Sequence, residues 1–390
     1  MKKNRIWVRS FLHAFVLLAL SLFWLHTPYT YGDESLLVKW SSIVKRVIFK
    51  FDQDPPKDDF LFINLGFEKA LIPLEDKLGN ETITDRAKLA EFFTILKNHP
   101  KTAKFIYCDV FLKGNSNDDG KLATSVHGIP NILFPSHLDL NGKPELLAID
   151  VPFAIADYRS TDEDILKFNL IQGNGYKSVP VAMYETLNKG KVFQSSGLFW
   201  DKSQMCLNSI IVDYPIRTQE VFTEEGYPVV NLSELLLLPE DIIANQFLKN
   251  RIVVMGDFEQ DVHNTIFGSM PGTLILLNVY LSLVAGYHQI SIFWILFMLA
   301  AFTLYSRLLI FQESKTVEGN RWLNKLLENM IFLTTISVIS YFLFNIGLQI
   351  LVLTIYTSIV LFIIKVRRQK LPIFKPSYWL KAQYEKFMTP

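Results

Sequence analysis

The chain has 390 residues, half of them hydrophobic and 14% aromatic with only 20% charged, a composition too apolar for a disordered or surface-rich soluble protein. A net charge of +1 excludes a generally basic nucleic-acid binder, but it hides segregation. Residues 27–290 hold 34 acidic against 24 basic side chains, and the remainder holds 15 basic against 4 acidic. An acidic middle between basic ends directs attention to the membrane. Cys108 and Cys206 lack CxxC spacing and are read as buried packing residues.

Residues 1–26 form a basic stub and an apolar run, 6–25, with no small-residue cleavage site after it, so a retained signal-anchor helix is expected. An amphipathic helix over 34–49 follows, with Leu36, Leu37, Trp40, Ile43, Val44, Val47 and Ile48 at helical spacing, ended by Pro55 and Pro56. A strand over 60–65 closes at Gly66. Then comes a helix with Thr84 as its N-cap and Ala87, Ala90, Phe93 and Leu96 on one face. The run 105–111 reads as a second strand, and a polar turn over 114–120 opens another short helix. Strand and helix in alternation predict an α/β domain, its sheet mixed or mostly parallel with flanking helices. The stretch 157–209 lacks regular pattern, order resumes at 210–213 and 229–230, Pro239 interrupts a helix over 235–248, and a last strand covers 251–256.

No Asp, Glu, Lys or Arg occurs from Ser269 to Ser306, and the break at Gly286 to Gln289 separates an apolar helix over 271–285 from a spanning helix over 290–311. The run 331–364 is also free of charge, with Asn345, Gly347 and Gln349 at its middle, and reads as a helical hairpin of two spans. Lys2, Lys3, Arg5 and Arg9, then Lys315, Arg321 and Lys325 of the loop 312–330, then Lys365, Arg367, Arg368 and Lys370 of the tail 365–390 fall on one side of a four-span protein. Both ends are therefore expected in the cytoplasm, and block 27–289 outside it as one large exported domain.

Three features together resemble the CHASE2 domain, an extracytoplasmic sensory module of bacterial membrane receptors. Asp85-Arg86 opens a helix before a strand ending at Asp109, followed by Asp118-Asp119-Gly120-Lys121-Leu122-Ala123. The late strand Arg251 to Asp257 reads RIVVMGD and precedes Asp261, His263 and Thr265. Met270-Pro271-Gly272 then leads into a helix with Asn278, directly before the spans. The resemblance covers roughly residues 30–310 and implies a sensory domain in the periplasm, held in a bacterial inner membrane. In that family such domains usually feed a cytoplasmic kinase, cyclase or phosphatase, whereas here only 26 residues follow Ile364, so output through a separate protein is expected.

The residues offer a candidate ligand site and no catalytic constellation. Asp109, at the end of an apolar strand, with Asp119 and Lys121 close in sequence, stands where open α/β sheets present ligand-facing groups. Asp118 and Asp119 also suit a helix N-cap. Asp257, Asp261, His263 and Thr265 offer polar contacts to a small ligand, or alternatively hold a loop by hydrogen bonds. One His with two carboxylates falls short of a zinc site, so no metal and no cofactor are expected. The absence of GxSxG, HExxH or a phosphate loop points away from an enzyme. The expected partners are the lipid bilayer, a second protein or another copy of the chain, and an unknown small ligand, without nucleic acid. The competing reading is a structural docking subunit of a cell-envelope complex.

Overall fold

The computed structural model describes residues 2–27, 29–30, 32–50, 54–73, 79–158, 164–188, 192–195, 198–201, 204–223, 225–311 and 321–368. It divides into two compact units: the large domain, Leu25–Ser291 with Phe344–Ile346, and a helical unit made of the remaining segments.

The large domain is built on six strands, β1 (Phe60–Asn64), β2 (Phe105–Cys108), β3 (Ile132–Ser136), β4 (Phe153–Ile155), β5 (Val229–Asn231) and β6 (Ile252–Gly256). Their order across the sheet is β5-β1-β6-β2-β3-β4, and every pairing is parallel. Apolar runs of this kind, buried along their whole length in β1, β2, β3 and β6, are what a sheet covered on both faces requires. Alternate side chains serve opposite layers. Leu61, Ile63, Ile106, Cys108, Phe134, Val253 and Met255 join one core with helices α3 (Arg86–Asn98), α4 (Asp119–Val126) and α6 (Leu232–Leu236). On the other face α5 (Val179–Asn188) packs with α7 (Gly272–Val284), which also touches β6.

Asn278 fixes α7 in place. Fully buried, it donates to the carbonyls of Ile216 and Leu274 and accepts the Ile216 N–H, so its amide is saturated and pins the helix to a neighbouring segment. The first helix, α1 (Lys2–His26), is followed by α2 (Gly32–Ile43) and a π-helical turn, Val44–Ile48. Glu34 of α2 forms a buried ion pair with Lys167 at 2.9 Å, which ties this connector to the domain.

Two expectations need correction. The N-cap of α3 is Asp85, whose carboxylate accepts the N–H groups of Ala87 and Lys88, because Thr84 still belongs to the antiparallel hairpin Lys69–Pro73 with Asn80–Thr84. The stretch 157–209 is not irregular where it is described: it holds α5 and short antiparallel strands such as Lys167–Asn169, paired with Ser209–Ile211. These strands have two to four residues, too short to leave an alternating pattern.

The helical unit contains most of α1, α8 (Ile292–Tyr305, continued by the π-helical Ser306–Phe311), α9 (Arg321–Phe344) and α10 (Ile350–Arg368). Within it His13 stacks on Tyr356 and bonds Ser306, the Trp294 indole donates to Ser340, and Arg307 lies over the Trp7 ring at 4.0 Å. Among the described residues two helices are long and apolar enough to cross a membrane, Asn4–His26 and Leu327–Phe344; Ile292–Leu308 and Ile350–Ile364 are shorter apolar helices. The hairpin break falls at Asn345, whose φ of 56° ends α9. Lys315 and the tail beyond Arg368 lie outside the described residues. Both cysteines are buried, and neither forms a disulfide.

Candidate functional site

Parallel strands deliver their carboxyl ends to one edge of the sheet, and here that edge gathers polar side chains. Residues two apart share a face of a strand, so Tyr107 and Asp109 leave β2 together while Cys108 turns into the core. The Asp109 N–H donates to the Met255 carbonyl, extending the ladder one residue beyond β2. Its carboxylate accepts the Tyr107 hydroxyl at 2.8 Å and the Thr273 hydroxyl at 2.5 Å. Burial pushes the Asp109 carboxyl up to about 6, against these two hydrogen bonds, with Asp261 raising it further and His137 opposing. Burial also holds the Tyr107 and Tyr158 phenols well above their ordinary value, so both remain donors.

Asp261 and His263 come from the hairpin of β7 (Val262–Thr265) and β8 (Gly268–Pro271), which directly precedes α7. His263 Nε2 lies 3.1 Å from Asp261 Oδ1, and its ring leans on Tyr158 with centroids 4.8 Å apart. The hydroxyl of Tyr158 donates to the Gly272 carbonyl at 2.7 Å, and the Gly272 N–H donates to the Asp261 carbonyl at 2.9 Å. Gly272 is a floor without a side chain: a Cβ there would lie 2.7 Å from Asp261 Oδ2, 2.9 Å from the Tyr158 hydroxyl and 3.3 Å from His263 Nε2.

A second imidazole pair stands along the same edge. His137, the residue after β3, has Nδ1 2.6 Å from Asp157 Oδ1, and Asp157 Oδ2 accepts the Leu138 N–H. Its carboxylate partner raises the pKa of His137, burial opposing, and Asp261 does the same for His263.

The structure thus brings Asp109, Asp261 and His263 together and engages the other candidates with local partners. Asp257 caps its own turn, accepting the Glu259 and Gln260 N–H groups on one oxygen and Lys69 on the other at 2.8 Å. Burial favours its neutral form, but these three donors hold its pKa below the ordinary carboxylate range. Thr265 is buried and closes the β7–β8 turn through the Gly268 carbonyl and the Phe267 N–H. Asp119 does not cap α4 with its side chain. It pairs with buried Arg86 and accepts the Ser116 N–H, while Asp118 holds exposed Lys121 and makes no side-chain cap.

Sequence reasoning missed Tyr107, His137, Asp157, Tyr158 and Thr273. The signal was available in part: Tyr107 precedes Asp109 by two, the same-face spacing of a strand. Among the described residues no group of three or more His, Cys, Asp or Glu side chains is arranged to hold a metal ion. No curated protein and no solved structure matches the chain. The profile of the CHASE2 domain matches residues 71–306, more than half the sequence, with Asp109, His137, Asp157, Asp261 and His263 inside it, and the protein therefore belongs to the CHASE2 family of extracytoplasmic sensory domains.

Proposed function

We propose that this chain is a membrane-anchored receptor whose large domain lies outside the cytoplasm, takes a small polar ligand at the crevice around Asp109, and acts through a separate protein. One observation carries the reading: α7 starts in the crevice, where Gly272 and Thr273 bond Tyr158, Asp261 and Asp109, and its far end leads through a short connector into α8. A ligand that moves the crevice therefore pulls on a helix joined to the membrane segment. The same reading takes α1, α8, α9 and α10 as four crossings, which would put the basic clusters on one side and the turn at Asn345 on the other. Lys45 donates to Asn345 at 2.6 Å, so this turn belongs with the large domain, as that topology requires. The crevice offers carboxylates, imidazoles and phenols without an activated nucleophile, and we read it as a receptor site, not a catalytic one.

The test is a thermal-unfolding screen of the full chain in lipid nanodiscs against small polar compounds, run beside Asp109→Asn and Asp261→Asn. The reading expects compounds that raise the melting temperature of the wild type and leave both variants unmoved. Equal shifts in wild type and variants, or no active compound in a broad panel, would count against it.

A further inference from the structure

Five ionisable side chains from four strand segments gather along the sheet edge at which α7 begins. Asp109 follows β2, His137 follows β3, Asp157 follows β4, and Asp261 and His263 belong to the β7 segment. Each imidazole sits on a carboxylate, at 2.6 Å in His137–Asp157 and 3.1 Å in His263–Asp261. The charges acting on the members come largely from the group itself: Asp157, Asp109 and Glu145 on His137, Asp261 and Asp109 on His263, and Asp261 and His137 on Asp109. The phenols Tyr107 and Tyr158 stay neutral beside them.

We propose that this crevice reads proton concentration: proton uptake at Asp109, His137 and His263 locks the first turn of α7, and proton loss releases it. The proposal rests on the crevice being the sensory site. In the protonated state two imidazolium–carboxylate pairs flank a neutral Asp109, and the cluster carries no net charge; Glu145 beside it is paired with Lys113 at 3.1 Å. In the deprotonated state Asp109, Asp157 and Asp261 are three carboxylates with no cation between them. The first turn of α7 touches these groups through Gly272, bonded to the Asp261 main-chain carbonyl and the Tyr158 hydroxyl with no side chain to keep Asp261 Oδ2 and that hydroxyl apart, and through Thr273, whose bond favours the Asp109 carboxylate and is outweighed once both imidazolium charges are lost.

The helix carries the change to its other end. Asn278 clamps its middle, and at its last turn Ser282 accepts the N–H of Asp213. The buried Asp213 carboxylate also takes Ser42 at 3.1 Å, Arg46 at 3.0 Å and Tyr287 at 3.4 Å. One side chain thereby joins the segment after α1 to the segment before α8. A shift of α7 acts on both connectors at once.

Hydrogen exchange of the full chain in phosphatidylethanolamine–phosphatidylglycerol nanodiscs tests this, corrected for the intrinsic pH dependence of exchange. Between about pH 5.5 and about pH 8, amides of residues 273–278 and 282–291 should lose protection by about tenfold, while those of β1 do not change. Asp109→Asn with His137→Gln and His263→Gln should abolish the difference; if that triple variant fails to fold, the isosteric Asp109→Asn alone should diminish it. Equal protection at both pH values, or a full response in the folded variant, overturns the proposal, as does a response confined to residues 273–278. Flat exchange beside an intact ligand-dependent melting shift rejects proton sensing alone. Loss of both rejects the crevice as the sensory site.

Discussion

The hydroxyl of Thr273, second residue of α7, donates to Asp109 at 2.5 Å across 164 residues of chain, and this bond joins the sheet edge to the helix that leaves the domain. Two glycines make the approach feasible. A Cβ on Gly256 would stand 2.1 Å from Thr273 Oγ1, whereas one on Gly272 would meet the tips of Asp261, Tyr158 and His263 at 2.7 to 3.3 Å. Gly256→Ala should therefore cost about 2 kcal/mol or more, since β6 is central and α7 must back away, and Gly272→Ala about 1 kcal/mol. Urea denaturation of both variants checks the order; Gly272→Ala as the costlier change would contradict it.

Asp109 gives the domain an unusual pH response. Its native pKa, about 6, lies above the ordinary carboxylate value, so the folded state binds the proton more readily than the unfolded chain. Its burial costs nothing below the ordinary value and becomes a penalty as pH rises through about 6. The raised values of His137 and His263 act in the same direction: their stabilisation is complete below the free imidazole value and is lost as pH rises through the native one. Asp109→Asn should melt above the wild type at neutral pH, and the two curves should converge in acid. A variant less stable than wild type by the same margin at every pH would refute the assignment.

Asp257 should behave oppositely. Its depressed pKa means that its stabilisation is present above the ordinary carboxylate value and lost as pH falls through the native one. Asp257→Ala removes the acceptor for two backbone N–H groups and for Lys69, and should cost about 1 to 2 kcal/mol at neutral pH, with the difference shrinking in acid. Melting curves at neutral and acid pH decide it.

The core strands were legible because β2 and β6 are unbroken apolar runs that meet Asp109 and Asp257, and the β1 run is broken only by Asn64 before Gly66. Asp109, Asp261 and His263 were found for the same reason: each stands at or just beyond a recognisable strand. His137 and Asp157 were not, since β3 contains Pro135 and β4 has only three residues, so neither announces itself as a strand. Without those strands nothing in the sequence says that their next residues share an edge with Asp109. Asp119 misled in the other direction. Near Asp109 in sequence, it is held by Arg86 at the start of α3, a pairing that depends on packing between helices and leaves no local pattern.

The ion pair of Glu34 and Lys167 makes a further stability prediction. Both side chains are almost fully buried, so Lys167→Met leaves the Glu34 carboxylate without its cation in a dry site. The loss should be about 3 kcal/mol, beyond what an exposed pair contributes. Glu34→Gln with Lys167→Met should recover much of it, because the stranded charge is gone. A double variant as unstable as the single one would show that lost packing, not stranded charge, sets the cost.

Topology can be tested at the ends of the helices themselves. Residue 284 closes α7 in the domain, Phe311 ends the α8 segment, Ile346 lies in the turn between α9 and α10, and Arg368 ends α10. If α1, α8, α9 and α10 all cross, a reporter enzyme active only outside the cytoplasm should work when fused after residue 284 or 346 and fail after residue 311 or 368. The bond from Lys45 to Asn345 makes position 346 the discriminating one, because it belongs with the domain and follows the helix whose span is longest among the last three. Activity after residue 311 would mean that α8, with its short apolar stretch, does not cross. The domain would then connect to the membrane only through α1 and the final hairpin, and α7 would have no spanning helix to move.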